Sequence, residues 1–371
     1  VVDAGNGAGG FFASRVLEPL GCNCSGSRFL EPDGTFPNHA PNPEDKTAME
    51  AIRSAVLESG AHLGLIFDTD VDRMSAVLPD GTEVNRDAII ALAAAILAPN
   101  HPGGIIVTDS VTSDRLTVFL EKNLGLVHRR FKRGYKNVIN EMIRLNSEGK
   151  DCPMAMETSG HGALRENYDL DDGAYLAVKL VVALARHGEL GSLIADLPPA
   201  VEEAERRIPV LGVDFQEKGA AALTAFQRRA EERGLPLAPT CEGVRLTTDM
   251  GWMLLRQSLH DPLLPLNVEG NAPGDGKKLL TLAGELLAEL PGLDRQRLSH
   301  PVELMGELKE TGLRFQLLPY RAVGVECGLL LALRMDRAEY GEQSYRNCLA
   351  ALSPTPLSDG GGYCALIGGE G

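Results

Sequence analysis

A short apolar segment that runs directly into three acidic residues is the feature that most constrains this chain. The segment reads Gly-Leu-Ile-Phe-Asp-Thr-Asp-Val-Asp-Arg, with carboxylates at Asp68, Asp70 and Asp72 and a guanidinium at Arg73. Its first four residues, Gly64–Phe67, predict a buried strand. Alternate residues of a flat strand share one face but lie about 6.6 Å apart. We therefore expect the chain to curl after the strand and to bring the three acids together.

The acid triplet predicts a metal site. Three carboxylates this close repel one another, and a chain rarely keeps them without a neutralising cation. An all-oxygen ligand set favours hard cations such as Mg²⁺ or Mn²⁺. An EF-hand is excluded, because the positions for its Gly and Glu hold Arg73 and Pro79 when counted from Asp68. Two other interpretations stay open: a haloacid-dehalogenase-type phosphatase, for which Asp68-Thr69-Asp70 fits, and a solvated acidic turn.

Bulk properties narrow the class of protein. The 371 residues suffice for two to four domains. A net charge of −15 argues against nucleic acid and an anionic membrane surface as main partners. No apolar run reaches the ~18 residues of a membrane span. The seven cysteines form no complete zinc set, which favours free thiols in a reducing compartment. We expect a cytoplasmic protein, and the plastid stroma would also suit it.

The order of the predicted elements indicates the fold class. The first 190 residues alternate short strands and helices, which is typical of α/β architecture. One predicted helix has Asn42 as its cap, Pro43 in its first turn and Gly60 at its end. We expect two consecutive α/β/α domains with mixed sheets, then a smaller α+β domain and a poorly ordered tail. The predicted units are 1–84, 85–197, 200–292 and 293–371.

A polar loop follows a second strand-like segment. It holds Glu157, Ser159 and His161 beside two glycines. Glu157 and Ser159 have the groups to hold adjacent hydroxyls of a sugar. His161 has the chemistry to bind a phosphate or move a proton. A polar loop with only a structural role fits the same residues, so both interpretations stay open.

Two further segments are candidate phosphate sites. The turn Lys-Arg-Gly-Tyr-Lys, ending at Lys136, precedes a predicted helix whose first N–H groups add positive potential. Later, Arg256 offers a guanidinium fork suited to phosphate, with Ser258 and His260 beside it. Each signal is weak by itself, because charged turns are often only solvated. The glycine-rich opening of the chain lacks the Lys-Ser/Thr of a P-loop and is interpreted as a structural turn.

Five segments together resemble the α-D-phosphohexomutase superfamily, which includes phosphomannomutase, phosphoglucomutase and phosphoglucosamine mutase. In chain order they are the glycine-rich opening, the acid triplet, the basic turn, the polar loop and the Arg256 segment. The resemblance spans roughly residues 1–290. It implies magnesium ligands at Asp68, Asp70 and Asp72, catalytic residues at Arg73, His161 and Lys136, and substrate contacts at Glu157, Ser159, Arg256, Ser258 and His260.

Two loops depart from the family pattern. The family's phosphate loop, Arg-x-Ser-Gly-Thr-Glu-Pro, reads Arg-Gln-Ser-Leu-His-Asp-Pro here. Leu259 replaces a glycine, so we expect fewer backbone amides to hold phosphate, with His260 compensating. The metal loop reads Asp-Thr-Asp-Val-Asp where glycines are usual.

The resemblance implies a Mg²⁺-dependent phosphotransferase that interconverts hexose 1-phosphate and 6-phosphate through a bisphosphate, with hexose 1,6-bisphosphate as activator. Family members carry an N-terminal domain with a phosphorylated serine. No Thr-Ala-Ser-His-Asn-Pro-like segment occurs in this sequence, which opens at Val1. We therefore expect a missing upstream domain that held the phosphoserine, and no turnover by this chain alone. The alternatives are a non-catalytic sugar-phosphate-binding or interaction protein and a metal-dependent phosphatase.

Overall fold

The computed structural model of the chain describes residues 1–211, 214–258, 261–288, 290, 292–293, 315–322, 325–334, 355–356 and 362–369. The chain forms two compact units. The first contains Val1–Glu205, Leu223–Arg256 and Leu266–Leu279, and the second contains Arg206–Ala222, Gln257–Pro265 and Leu280–Gly371.

The described strands are β1 (Val2–Asp3), β2 (Gly64–Phe67), β3 (Met74–Val77), β4 (Glu83–Val84), β5 (Ile105–Thr108), β6 (Val127–Arg130), β7 (Met154–Met156), β8 (Gly162–Leu164), β9 (Glu202–Pro209), β10 (Leu237–Ala238), β11 (Val244–Thr248), β12 (Gly251–Leu255), β13 (Leu263–Gly270), β14 (Phe315–Ala322), β15 (Val325–Arg334), β16 (Thr355–Pro356) and β17 (Gly362–Gly369). The described α-helices are α1 (Lys46–Ser59), α2 (Asp87–Leu97), α3 (Asp114–Val118), α4 (Tyr135–Ser147), α5 (Gly173–His187), α6 (Phe215–Glu232) and α7 (Asp275–Leu286).

Two mixed four-stranded sheets organise residues 1–201, as the sequence predicts. The first has the order β1-β2-β3-β4, with β1 parallel to β2 and β2 antiparallel to β3. The second has the order β6-β5-β7-β8, in which β5 runs parallel to both neighbours and β8 is antiparallel to β7. In both sheets a parallel strand therefore ends at the same edge as its neighbour, and the candidate loops leave the sheets at such edges.

Helices bury the apolar strand faces. Met49, Ile52 and Val56 of α1 pack with Ile66 and Val77 of the first sheet. Because α2 is apolar nearly all round, it lies buried in a larger core together with α5 and strand residues from both sheets. These layers rigidly support the loops at the sheet edges. None of the described helices is both long and apolar enough to cross a membrane.

The first helix starts later than its sequence predicts. Asp45, and not Asn42, is its N-cap, and the Asp45 carboxylate accepts hydrogen bonds from the backbone N–H groups of Thr47 and Ala48 at 2.8 and 3.0 Å. Asn42 instead accepts the N–H of Glu44 at 3.0 Å, which makes a turn before the helix. Both residue types cap helices well, so local preference could not choose between them. The predicted end at Gly60 is confirmed, with a positive φ of 62°.

Four strands occur among the described residues of the last region, for which the sequence predicts a poorly ordered tail. Strands β14, β15, β17 and β16 form one antiparallel sheet in that order. One of these pairings, β15 with β17, joins residues 28 to 41 positions apart in the chain, so a short window of sequence does not reveal it. Earlier in the chain, strands β9 to β13 form a five-stranded sheet with the order β10-β11-β12-β13-β9.

Candidate active site

The loop after β2 curls as predicted. Asp68 is buried, and its Oδ1 accepts hydrogen bonds from the backbone N–H groups of Val71 and Arg73 at 3.0 and 3.1 Å. Its Oδ2 accepts a hydrogen bond from Arg73 Nε at 3.0 Å. Val71 adopts a φ of 76°, a conformation that β-branched residues rarely take. The Asp68 carboxylate thus holds the turn that reverses the chain into β3.

The turn gathers the three acids. One carboxylate oxygen from each of Asp68, Asp70 and Asp72 lies within 4.8 Å of the other two. Asp72 Oδ1 is buried and has no hydrogen-bond partner. Burial raises the pKa of Asp72 to about 6, His161 opposes this rise and the charge of Asp68 reinforces it. An orphaned carboxylate oxygen beside two more carboxylates fits a hard divalent cation held by all three residues.

Glu157 lies at the end of β7 and is buried. Its Oε1 accepts a 2.6 Å hydrogen bond from the backbone N–H of Gly134, and the Ser159 hydroxyl lies 3.5 Å from its Oε2. Burial raises the pKa of Glu157 to about 7, and the nearby charge of Asp109 adds to this effect. The basic turn before α4 therefore positions the acid of the polar loop, which the spacing of these residues in the sequence does not show.

His161 lies close to two acidic residues, Asp171 and Asp72 of the metal loop. Its Nδ1 lies 2.8 Å from Asp171 Oδ2 and 3.7 Å from Asp72 Oδ2, and its ring stacks on Tyr135 with centroids 4.9 Å apart. Burial lowers the pKa of His161, but the hydrogen bond and charge of Asp171 outweigh it and raise the pKa. Because Nδ1 is engaged by Asp171, Nε2 is the ring nitrogen left for a ligand.

Backbone contacts join the metal loop to the polar loop. Arg73 and His161 form an antiparallel bridge, and the N–H of Met74 donates to the carbonyl of Gly160 at 3.4 Å. Gly160 has a φ of 98°, and a Cβ there would lie 2.8 Å from the Met74 carbonyl oxygen. A glycine is needed at this contact. The structure therefore places the predicted metal ligands and Glu157, Ser159 and His161 in one site.

Asp109 lies beside the polar loop and was not predicted from the sequence. It follows β5 and is fully buried, and its Oδ2 accepts a 2.8 Å hydrogen bond from the Thr158 hydroxyl. Burial raises the pKa of Asp109, opposed first by the charge of Arg133. One signal was available in the sequence: an acid directly after a buried parallel strand lies at the carboxyl edge of its sheet.

The structure does not bring all of the remaining predicted residues into this site. Arg256 is half-buried, its Nε has no hydrogen-bond partner, and burial followed by the charge of Arg133 lowers its pKa. Arg256 belongs to the first unit, whereas Ser258 belongs to the second, where its hydroxyl accepts the N–H of Asp261 at 3.2 Å. Lys136 starts α4, with Nζ 5.7 Å from the centre of the Tyr135 ring. His260 lies outside the described residues.

Comparison with known proteins agrees with this geometry. Residues 1–81 match the family model of phosphoglucomutase/phosphomannomutase α/β/α domain II, and residues 85–201 match that of α/β/α domain III. Since these two models cover more than half of the chain, it belongs to the phosphoglucomutase/phosphomannomutase family within the α-D-phosphohexomutase superfamily. The predicted family and fold class are confirmed.

Curated and solved relatives agree. A phosphomannomutase/phosphoglucomutase of Pseudomonas putida is 32% identical over 281 residues, covering 75% of this chain and 58% of the relative. A phosphoglucomutase of Neisseria meningitidis is 30% identical over 271 residues, covering 73% and 57%. The crystal structure of a phosphoglucomutase/phosphomannomutase family protein from Burkholderia thailandensis has a TM-score of 0.67 and 28% identity, covering 79% and 61%. The chain thus spans about three fifths of the length of these relatives.

Proposed function

We propose that this chain carries the metal-binding and sugar-recognising part of a phosphohexose mutase, which interconverts hexose 1-phosphate and hexose 6-phosphate through a bisphosphate. Mg²⁺ is the proposed metal, and hexose 1,6-bisphosphate is the proposed activator. The names of the relatives support mutase chemistry. The boundaries at 84/85, 197/200 and 292/293 remain part of this proposal.

One observation carries the proposal. The carboxylate cluster and the Glu157–His161 loop are joined through the bridge between Arg73 and His161. A metal-binding group and a sugar-binding group are therefore held at fixed separation by backbone hydrogen bonds, as phosphoryl transfer to a sugar requires.

The residues of the chain have separable roles in this proposal. Glu157, when ionised, accepts hydrogen bonds from sugar hydroxyls, and Ser159 donates or accepts one beside it. His161, oriented by Asp171, presents Nε2 for proton movement at the reacting hydroxyl. Arg256, whose Nε lacks a partner, supplies a fork for the phosphate that does not react. When bound, Mg²⁺ offsets the negative charge of the transferring phosphoryl group.

The phosphatase interpretation loses support from Asp68. A phosphatase of that type needs its first aspartate as a nucleophile. Both oxygens of Asp68 already accept hydrogen bonds from Val71 and Arg73. A carboxylate held in this way suits a metal ligand or a loop support better than an attacking group.

Residues 1–371 contain no segment resembling the family's phosphoserine motif. We therefore propose that these residues alone bind hexose phosphates without interconverting them, because positioning and a metal do not replace a covalent phosphoryl carrier. A relative's phosphoserine domain, supplied separately, should restore turnover if it docks.

Substitution of Glu157 tests sugar recognition. Glu157→Ala should weaken binding of glucose 1-phosphate by about 1–3 kcal/mol, the usual cost of losing a charged hydrogen-bond partner, and leave inorganic phosphate binding almost unchanged. Titration calorimetry measures both, with exposed Glu121→Ala as the matched control. Equal weakening of the binding of both ligands would mean that Glu157 has a structural role.

Isomer formation by residues 1–371 alone would refute the need for a separate serine, and phosphate release without isomer formation would favour a phosphatase.

A further inference from the structure

A cleft in the first unit, separate from the metal and polar loops, lies against one face of the strands β12 and β13. Its volume is about 660 Å³, within the range of small-ligand sites. Trp252 and Glu269 are directly opposite each other on the two strands, and Asn267 lies two residues from Glu269. All three side chains therefore share a face of the sheet, and all three line the cleft.

Two of these side chains carry buried polar atoms without partners. Trp252 and Asn267 are each only 5% exposed. The indole N–H of Trp252 and the amide oxygen of Asn267 form no hydrogen bond. The other end of the amide donates to Glu205 at 3.2 Å, which sets its orientation. A buried donor and a buried acceptor without partners at a cleft wall are each costly, so a ligand that pairs with both is favoured.

The indole is held rigidly. The guanidinium of buried Arg245 lies 3.9 Å from the centre of the Trp252 ring. Arg245 is itself fixed by hydrogen bonds to the carbonyl oxygens of Ser110 and Thr112 at 3.1 and 3.3 Å. The free N–H is thus a pre-organised donor, which reduces the entropy lost on binding.

The cleft selects for positive charge. Two cationic side chains, Lys46 and Arg86, line it together with six carboxylates: Glu44, Glu50, Glu83, Glu203, Glu205 and Glu269. Arg115 pairs with Glu269 at 2.9 Å and with Glu203 at 3.6 Å, and Arg53 pairs with Glu50 at 3.4 Å. Glu44 and Glu83 stay exposed at the wall and form no ion pair with any described residue. Such a surface repels the phosphate group of a hexose phosphate and attracts a cation. The cleft is therefore chemically distinct from the proposed sugar-phosphate site.

We propose that this cleft binds a small organic ammonium ion that also carries a carbonyl or hydroxyl oxygen. The ammonium group donates to the Asn267 oxygen and is attracted by the surrounding carboxylates. The ligand's oxygen accepts the hydrogen bond of the Trp252 indole.

A matched set of probes tests each half of this recognition. Lysinamide carries two ammonium groups and a carbonyl oxygen, cadaverine has the same two ammonium groups without the carboxamide, and diacetylated lysinamide is neutral. Trp252 is the chain's single tryptophan, so its fluorescence reports directly on the cleft. Lysinamide should change this fluorescence, bind about three- to tenfold more tightly than cadaverine, and bind far more tightly than its diacetylated form.

Two variants in the cleft and one control outside it assign the binding of lysinamide to this cleft. Trp252→Phe keeps an aromatic ring but removes the N–H, so ligand-observed NMR should find that the preference for lysinamide over cadaverine disappears. Tyr168→Phe, at an exposed ring outside the cleft, should keep it. Glu83 is exposed, so Glu83→Gln does not disturb the core. This substitution should weaken the binding of lysinamide by about two- to threefold. Hexose phosphate binding should not change in any variant.

Three results would overturn the proposal: no fluorescence response to lysinamide, equal binding of the neutral form, or a preference for lysinamide that survives in Trp252→Phe. Each is independent of whether the metal and sugar loops act as proposed.

Discussion

Two clusters of three acids occur in the first unit, and they are balanced in different ways. The metal-loop cluster, Asp68, Asp70 and Asp72, comes from five consecutive residues. The Arg115 cluster, Asp87, Glu203 and Glu269, comes from three distant segments whose carboxylates also lie within 4.8 Å of one another. Arg115 lies among these three, at 3.6, 3.6 and 2.9 Å from the respective oxygens.

The difference lies in the counter-cation. Arg115 pairs with every member of its cluster, which therefore carries its own positive charge. In the metal loop, Arg73 pairs with Asp68, and within the described residues no ion pair reaches Asp70. A cluster in which a guanidinium pairs with every carboxylate stabilises the fold, whereas one that leaves a carboxylate without a cationic partner is disposed to bind an external cation. Proximity of carboxylates alone therefore does not distinguish a metal site from a structural one.

Removal of the internal cation should have the largest effect. Arg115→Met should lower the free energy of unfolding by about 3–5 kcal/mol, because it leaves buried carboxylates uncompensated. Urea denaturation measures this loss. The control is Arg228→Met, which removes an exposed arginine 3.7 Å from Glu232 and should cost about 0–1 kcal/mol. If the two variants lose equal stability, Arg115 is not the counter-cation of its cluster.

Magnesium should act through the other cluster. At a concentration of 100 times its Kd, Mg²⁺ should stabilise the wild-type protein by about 2.7 kcal/mol through mass action, seen as a higher melting temperature. Asp70→Asn should lose most of this response. Glu203→Gln, in the Arg115 cluster, should retain it. Equal responses of wild type and Asp70→Asn, or a loss in Glu203→Gln, would reverse the assignment of the two clusters.

The pH dependence of stability should report on the Arg115 cluster. Burial raises the pKa of Asp87 to about 7, only partly opposed by Ser113 and Arg115. The folded protein thus binds this proton more tightly than the unfolded chain, in which the pKa is near 3.9. Between pH 4 and 7 the group should lower the free energy of unfolding as pH rises, by on the order of 1–3 kcal/mol.

Asp87→Asn should flatten this slope, measured by denaturation at several pH values. Asp80→Asn, on an exposed turn where hydrogen bonds from Thr82 lower the pKa of the carboxyl, is the control and should not flatten it. A slope unchanged in Asp87→Asn would mean that Asp87 is ionised throughout this range.

The comparison also shows which features a sequence reveals. The metal loop was predicted because its acids are neighbours in the chain, and β2 was predicted because Gly64–Phe67 is a short apolar run directly before them. The Arg115 cluster was not predicted, because its three acids are separated by up to 182 positions and no local pattern links Asp87 to Glu269. Asp171 was not predicted for the same reason, since its role arises from its contact with His161.

The cap of α1 and the last sheet show a second limit on what can be predicted from the sequence alone. Asn42 and Asp45 are both good caps, and only the packed helix decides between them. Strands β15 and β17 pair across 28 to 41 positions, so no short window of sequence links them.

The sequence by itself determined the alternation of strands and helices, the acid triplet after β2, the polar loop and the family resemblance. These follow from local periodicity and from residue types at short spacing, which do not depend on distant contacts. The tertiary structure decided that Gly160 joins the two loops and that Gly134 holds Glu157. It also decided that Arg115 balances one acid cluster and that the Trp252 N–H stays free. These depend on long-range packing, which fixes distances between residues far apart in the chain.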